Sequence, residues 1–262
     1  MARNHKILVS AEKGGVGKTT VSVNLAVKLQ LMGYDVLLVD YDTTNPSDGF
    51  YLGLEDANVG LREVLSGRSS LQNAIIVHSP SGLHVLPGTV VNRGFLPKSM
   101  QVGKLMSDID KLNYDFIVID SAPGVLVEET IPARVNEALV IATCTTSACI
   151  SAVRLAHFYD KMSLRHNLVL NKVKNTRYEL NRREIEEMYG EGSIAQLPDD
   201  EAVVISEAEH IPIVMRKPSA PFSREMTGLA KHFGTSVNPR YSSGEGEKGI
   251  LARIAEFFRR IF

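Results

Sequence analysis

The chain has 262 residues, 44% of them hydrophobic and 23% charged, with a formal net charge of -1 at pH 7; these values fit one large globular domain and argue against a surface that coats a polyanion. Only two cysteines occur, Cys144 and Cys149, so no disulfide framework is expected and a reducing, cytosolic compartment is favoured. The polar start of the chain, and the lack of any apolar run near the roughly 20 residues of a membrane span, predict neither a secretory leader nor a transmembrane helix.

Short apolar runs rich in β-branched residues recur along the chain, and a helical pattern follows each of them. Strands that are apolar on both faces and separated by helices predict a parallel sheet covered on both sides. The predicted fold is therefore α/β, with a doubly wound, mostly parallel sheet. The predicted strands cover residues 7–9, 36–39, 83–86, 116–119, 138–141 and 168–170.

The loop after the first predicted strand has the sequence K-G-G-V-G-K-T-T, residues 13–20. It contains G-x-x-G-K-T between a strand and a helix, which is the context that a phosphate-binding loop requires. Glycines let successive backbone N–H groups face phosphate oxygens, while the next helix points its positive end at the same charge. Lys18 is expected to contact phosphates and Thr19 to ligate magnesium. The predicted phosphate-binding residues are Gly14, Gly15, Val16, Gly17, Lys18, Thr19 and Thr20.

The helix predicted after this loop has apolar residues at helical spacing. Val21, Leu25, Leu29 and Met32 repeat on one face, and Gly33 stands where a helix C-terminus favours glycine. The next strand ends in Asp40 and Asp42, two carboxylates at alternate positions. Alternate residues lie on the same side of a strand, so both are expected at the sheet edge where ligands bind. Capping of the following loop is the alternative role for either aspartate.

The K-G-G-V-G-K-T-T loop, with the extra Lys13 at its head, resembles the deviant Walker A signature of the MinD and ParA family. The resemblance covers residues 5–234 and implies a P-loop NTPase fold of the SIMIBI type, with ATP and Mg2+ as ligands. It implies that Lys13 reaches the phosphates of a second subunit across an ATP-bound dimer. It also implies that Asp40 supports the magnesium shell and that Asp42 positions the attacking water.

The resemblance extends to three later segments. Asp120 ends the strand at residues 116–119 and looks like the Walker B carboxylate, an acid that holds magnesium through water. Asn171 matches the family's strand-end asparagine, whose amide complements the edge of adenine; Lys174 stands where a guanine-reading site has aspartate, so ATP is implied. Pro198 and Asp199 match the family loop that borders the base.

Certain positions depart from the family pattern. Cys144, Thr145 and Thr146 replace the usual N-P-E segment, and Ala152 stands in place of an acid in the next helix. Because those acids contact the sugar and the partner's lysine, the usual nucleotide-sandwich homodimer is less strongly implied. Ser47 replaces a frequent asparagine, and slow hydrolysis is expected.

The end of the chain differs in composition. Residues 235–248 are rich in Gly, Ser and charge and predict a flexible linker between a domain at 1–234 and a terminal segment at 249–262. This segment, G-I-L-A-R-I-A-E-F-F-R-R-I-F, places its large apolar residues on one helical face and its arginines on the other. It is too short to span a bilayer but suits the lipid headgroup layer. Packing on the chain's own domain or on a protein partner is the alternative.

These observations predict a cytoplasmic ATPase switch that lies on the inner face of the cell membrane and positions a protein partner. Nucleic acid is not expected as a specific partner. A DNA-partitioning ATPase of the ParA kind would require a basic surface, for which residues 172–183 are the candidate. An iron-sulfur carrier would use both cysteines, and an ATP-binding scaffold would hold the nucleotide with little hydrolysis. These three functions compete with the membrane switch.

Overall fold

A computed structural model describes residues 4–43, 46–89, 97–122 and 131–235. The predicted linker beyond Thr235, the predicted terminal helix and most of the loop after Asp120 lie outside these residues. The strands of the described part are β1 (His5–Ser10), β2 (Val36–Tyr41), β3 (Ile76–His78), β4 (Leu83–Leu86), β5 (Phe116–Ser121), β6 (Glu137–Ala142), β7 (Arg165–Val173) and β8 (Ser193–Pro198). Its α-helices are α1 (Lys18–Leu31), α2 (Asp48–Tyr51), α3 (Leu61–Leu65), α4 (Leu71–Ala74), α5 (Ser99–Asp110), α6 (Thr146–Lys161), α7 (Arg182–Tyr189), α8 (Glu201–Ala208), α9 (Ile213–Arg216) and α10 (Pro221–Gly234).

The eight strands form one sheet in the order β3-β4-β2-β5-β1-β6-β7-β8. Every neighbouring pair is parallel except β3 and β4, which are antiparallel. Helices cover both faces, because alternate residues of one strand enter different cores: Ile7 and Val9 pack on the side of α1 and α10, and Leu8 packs on the side of α5 and α6. The predicted doubly wound α/β fold is thus confirmed.

The sequence patterns missed two strands at the edges of the sheet. β3 has only three residues, too few to show a period. β8, at the other edge, alternates buried and partly buried residues because its successive side chains point to opposite faces of the sheet, and one face is less covered. The predicted start and end of the first helix agree with α1, after which Gly33 has a φ of 92°. No helix within the described residues is long and apolar enough to cross a membrane.

Sheet order decides which polar residues meet. The central strands β2, β5 and β1 are parallel neighbours, so their carboxyl ends lie at one edge of the sheet. In the β2–β5 register Asp40 is opposite Asp120. Open α/β sheets bind their ligands outside the carboxyl ends of the strands, and the phosphate loop begins at the same edge, directly after β1.

Candidate functional site

The loop between β1 and α1 has the backbone that its glycines permit. Gly15 has a φ of 76° and Gly17 a φ of 92°, a left-handed conformation that side-chain-bearing residues rarely adopt. Gly17 immediately precedes α1, whose first residues Lys18 and Thr19 therefore lie at the positive end of the helix. The backbone of the loop glycines and the first residues of α1 consequently line the cavity beside the loop.

Thr19 and Asp120 are joined at the centre of the site, although 101 positions separate them in sequence. The Thr19 hydroxyl donates to Asp120 Oδ2 at 2.7 Å, and Ser22 Oγ donates to Asp120 Oδ1 at 3.0 Å. Thr19 Oγ1 also lies 2.9 Å from Ser47 Oγ. Burial raises the pKa of Asp120, while the hydrogen bond from Thr19 and the charge of Lys18 lower it. The structure thus brings Thr19 and Asp120, two of the three predicted magnesium residues, into contact.

Asp40 organises the loop that follows β2. Its carboxylate accepts backbone N–H groups from Asp42 at 3.2 Å, from Ser47 at 2.9 Å and from Asp48 at 3.0 Å. Burial, followed by the nearby charge of Asp120, raises the pKa of Asp40 to about 7. Capping of the loop, the alternative considered from the sequence, is therefore one role of Asp40; its place in a magnesium shell stays a prediction.

Asp48 belongs to the same cluster, although sequence analysis did not identify it. It is completely buried, and apart from a proton shared with Asp120, no donor among the described residues reaches its carboxyl oxygens. Burial, followed by the charges of Asp40 and Asp120, raises its pKa well above the usual range. An acid at the first position of a helix looks ordinary in sequence, so only the fold shows that Asp48 lies against Asp120.

This donor set fits magnesium. Mg2+ prefers oxygen ligands and keeps several waters, using one or two protein groups together with substrate phosphates. The described residues hold no group of three or more His, Cys, Asp or Glu side chains arranged to bind a metal unaided. The buried carboxyl groups of Asp48 and Asp120, which lie together beside Thr19, are acceptors whose negative charge a cation would compensate.

A cavity of about 510 Å³ opens above the phosphate loop. Gly14, Gly15, Gly17, Lys18, Thr19, Thr20 and Asp42, all predicted site residues, contribute to its wall. The remaining wall contains six residues for which no sequence pattern predicts a nucleotide contact: Ser47, Phe50, Tyr51, Lys172, Glu207 and His210. Those residues come from α2, the end of β7 and the end of α8, so no local pattern connects them.

The residues predicted to contact the nucleotide base, Asn171, Pro198 and Asp199, do not all lie at the phosphate loop. Asn171 is buried and donates from Nδ2 to the carbonyl oxygen of Val16 at 2.8 Å. Pro198 lines a separate cavity of about 400 Å³ with Arg182 and Glu225. Asp199 forms an ion pair with Lys174 at 3.3 Å. Pro198 and Asp199 therefore lie beside the end of β7 but outside the wall of the phosphate cavity, and their contact with a base stays a prediction.

Lys13 contacts its own chain. Its Nζ donates to Ser147 Oγ at 2.7 Å, at the start of α6. Thr145 caps that helix, accepting from the N–H of Ala148, and Ala152 is buried on its inner face. A carboxylate at position 152 would lie inside this core, so the departure from the family pattern at Ala152 agrees with the packing. The role of Lys13 in a second subunit stays a prediction.

The basic residues proposed as a DNA surface are largely engaged within the protein. Three of them form ion pairs with acids, one stacks on an aromatic ring and one binds a backbone carbonyl. The pairs are Arg182–Glu186 at 2.7 Å, Arg183–Glu187 at 2.8 Å, Lys174–Asp199 at 3.3 Å, Arg177 at 4.7 Å from the ring of Tyr178, and Lys172 to Gly15 O at 2.9 Å.

Comparison with known proteins agrees with this site. The family described as ParA, NUBPL iron-transfer P-loop NTPase, matches residues 2–232. An uncharacterized ATP-binding protein of Methanocaldococcus jannaschii is 29% identical over 228 residues, which cover 86% of this chain and 86% of that protein. A putative septum site-determining protein MinD of Mesostigma viride is 27% identical over 261 residues, or 96% of this chain and 91% of that protein.

A solved structure is similar across the same region. The septum site-determining protein MinD from Pyrococcus horikoshii, complexed with Mg-ADP, superposes with a TM-score of 0.81 at 27% identity. The match covers 88% of this chain and 96% of that one. A protein similar to this chain over nearly its whole length thus binds a nucleotide together with magnesium.

Proposed function

The chain belongs to the ParA family of P-loop NTPases, and from this premise we propose that it is an ATP-dependent molecular switch of the MinD kind. In this proposal it binds ATP with Mg2+, hydrolyses the ATP slowly, associates with a membrane surface through residues 249–262 and positions a protein partner. The cytoplasm and the inner face of the cell membrane are its proposed location.

The observation that supports nucleotide binding best is that the phosphate loop and the Asp120 carboxylate lie in contact at one edge of the sheet. Left-handed Gly15 and Gly17 open the loop to a 510 Å³ cavity, and Thr19 donates to Asp120 beneath it. A loop without a ligand has no need of a buried acid cluster at its base. Thr19, Asp40 and Asp120 are the residues that would hold magnesium, which when bound would neutralise charge on the phosphate oxygens.

Hydrolysis is assigned to residues at the same opening. Asp42 is largely buried yet contributes to the cavity wall, which supports the proposal that its carboxylate orients a water at the phosphate end. Lys18 lies at the start of α1 and supplies positive charge there. Lys13, which contacts Ser147 in the single chain, would leave that contact to act on a second subunit, so a dimer or a protein partner is proposed to stimulate the reaction.

Membrane association is tested by sedimentation with anionic liposomes. We expect the full chain to sediment in ATP and Mg2+ but much less in ADP, and removal of residues 249–262 to abolish sedimentation in either nucleotide. Replacing Ile254 and Phe258 by glutamate should have the same effect because it disrupts the apolar face, whereas Glu256→Gln on the polar face should bind normally. If the chain bound liposomes through residues 249–262 equally well in ADP and in ATP, the segment would be a constitutive anchor and not part of a nucleotide switch. Absence of binding would reject the membrane proposal.

Iron transfer, which the matched family description names, is the alternative that the two cysteines test. Cys144 and Cys149 are buried, and burial raises the pKa of each thiol to about 11. Since a cluster shared between subunits needs thiols at the surface, the burial of both side chains argues against it. We expect protein purified anaerobically to show no visible absorption band. A band that disappears in Cys149→Ser protein would favour a cluster carrier over the switch.

A further inference from the structure

β7 ends irregularly beside the phosphate loop. Its register with β8 shifts between Leu170 and Val173, and Lys172 has a φ of 55°, a left-handed conformation that is uncommon for a residue with a side chain. In a regular strand, successive side chains point to opposite faces. A bulge redirects them, and here both Asn171 and Lys172 reach the same loop.

The two side chains bind successive carbonyl groups. Asn171 Nδ2 donates to Val16 O at 2.8 Å, and Lys172 Nζ donates to Gly15 O at 2.9 Å. The Asn171 amide also lies against Gly17, where an added Cβ would be 2.2 Å from Nδ2. The end of β7 therefore touches three consecutive residues of the loop.

These contacts determine where the loop's N–H groups point. In a planar trans peptide the C=O and N–H bonds point in opposite directions. Fixing Gly15 O on Lys172 therefore turns the N–H of Val16 away from β7, and fixing Val16 O on Asn171 does the same for the N–H of Gly17. Neither N–H makes a backbone hydrogen bond within the described residues. Gly17 belongs to the cavity wall, so its N–H is available for an anion there.

We propose that Asn171 and Lys172 form a clamp that presets the phosphate loop, with Lys172 as a positioning residue of the nucleotide site. The inference rests on the proposed nucleotide binding, and it adds a function for the β7 bulge. In this proposal the Asn171 amide holds the phosphate loop, in addition to any contact that it makes with a nucleotide base. Lys172 lines the cavity, so its ammonium group contributes positive charge there in addition to its hydrogen bond.

Lys172→Gly is the decisive variant because glycine keeps the left-handed backbone while removing the side chain. We expect its ADP affinity to fall at least about tenfold, the loss typical of one charge-assisted hydrogen bond. Part of the loss should persist at high salt, because the part that comes from loop geometry is not screened, whereas the part that comes from the ammonium charge is. Ser163→Gly is the matched control: Ser163 also has a left-handed φ, of 53°, but follows α6 away from the cavity, so its affinity should be unchanged.

Hydrogen exchange of the nucleotide-free protein tests the clamp separately from nucleotide binding. The amides of residues 14–17 should exchange faster in Lys172→Gly and in Lys172→Met than in the unsubstituted chain, and remain unchanged in Ser163→Gly. Equal exchange and equal ADP affinity in both lysine variants would overturn the clamp. Failure of the unsubstituted chain to bind ADP or ATP would overturn the proposed function, and loop exchange alone would then decide the clamp.

Discussion

Gly17→Ala protein is expected to lose nucleotide binding, with the dissociation constant for ADP rising by more than about 100-fold. Gly17 has a φ of 92°, where alanine is strained. Its new Cβ would also lie 2.2 Å from Asn171 Nδ2, so either the loop must move or Asn171 must release the Val16 carbonyl. Titration with a fluorescent ADP analogue, with and without Mg2+, measures the effect.

Gly228→Ala is the control for this substitution. Gly228 lies inside α10, and a Cβ added there would meet nothing within 4 Å. Alanine is favoured over glycine in a helix by roughly 0.5–1 kcal/mol, so this variant should bind nucleotide normally and melt at the same or a slightly higher temperature. If Gly17→Ala bound ADP as tightly as Gly228→Ala, the loop conformation would not be the one that receives phosphates.

Asp42→Asn protein is expected to release phosphate from ATP at least about 100-fold more slowly, the usual contribution of a residue that activates water. Asparagine has nearly the same shape, so the cavity wall to which Asp42 contributes should be preserved, and ATP affinity should change by no more than about threefold. A coupled phosphate-release assay gives the rate, and equilibrium titration gives the affinity.

The surface ion pair between Asp108, on α5, and Lys111, directly after it, supplies the control for Asp42. Asp108→Asn removes one carboxylate from the surface, as Asp42→Asn removes one from the cavity, and it should leave phosphate release unchanged. An undiminished rate in the Asp42 variant would show that the water is positioned by another group, and Asp120→Asn would then be the next substitution to test. A rate indistinguishable from zero in the unsubstituted chain would favour the ATP-binding scaffold.

Several site residues were predictable because their signal is local. The sequence from 13 to 20 combines glycines, two lysines and two threonines after an apolar strand, and six of its eight residues, all but Lys13 and Val16, lie around one cavity. Asp120 was predictable from the strand that it ends. Asn171 was expected to face a base through the family resemblance, but the structure shows that its amide also contacts the loop, which no strand-end pattern indicates.

The remaining residues of the site have no signal in the chain. Phe50, Glu207 and His210 meet at the cavity because α2 and the end of α8 pack together, and His210 Nδ1 lies 2.5 Å from the carbonyl oxygen of Phe50. Asp48 looks like an ordinary helix start. Its burial against Asp120 depends on how the loop after β2 folds around Asp40.

The sequence by itself determined the strand-loop-helix unit at residues 5–31 and the doubly wound α/β class, because glycine backbone freedom and apolar periodicity act between near neighbours. Only the tertiary structure decided that Asp40 lies opposite Asp120, that Lys172 reaches the carbonyl of Gly15 and that Lys13 rests on Ser147. Those contacts join residues 80 to 157 positions apart. They follow from strand order and register, which are set by how all the helices and strands pack together.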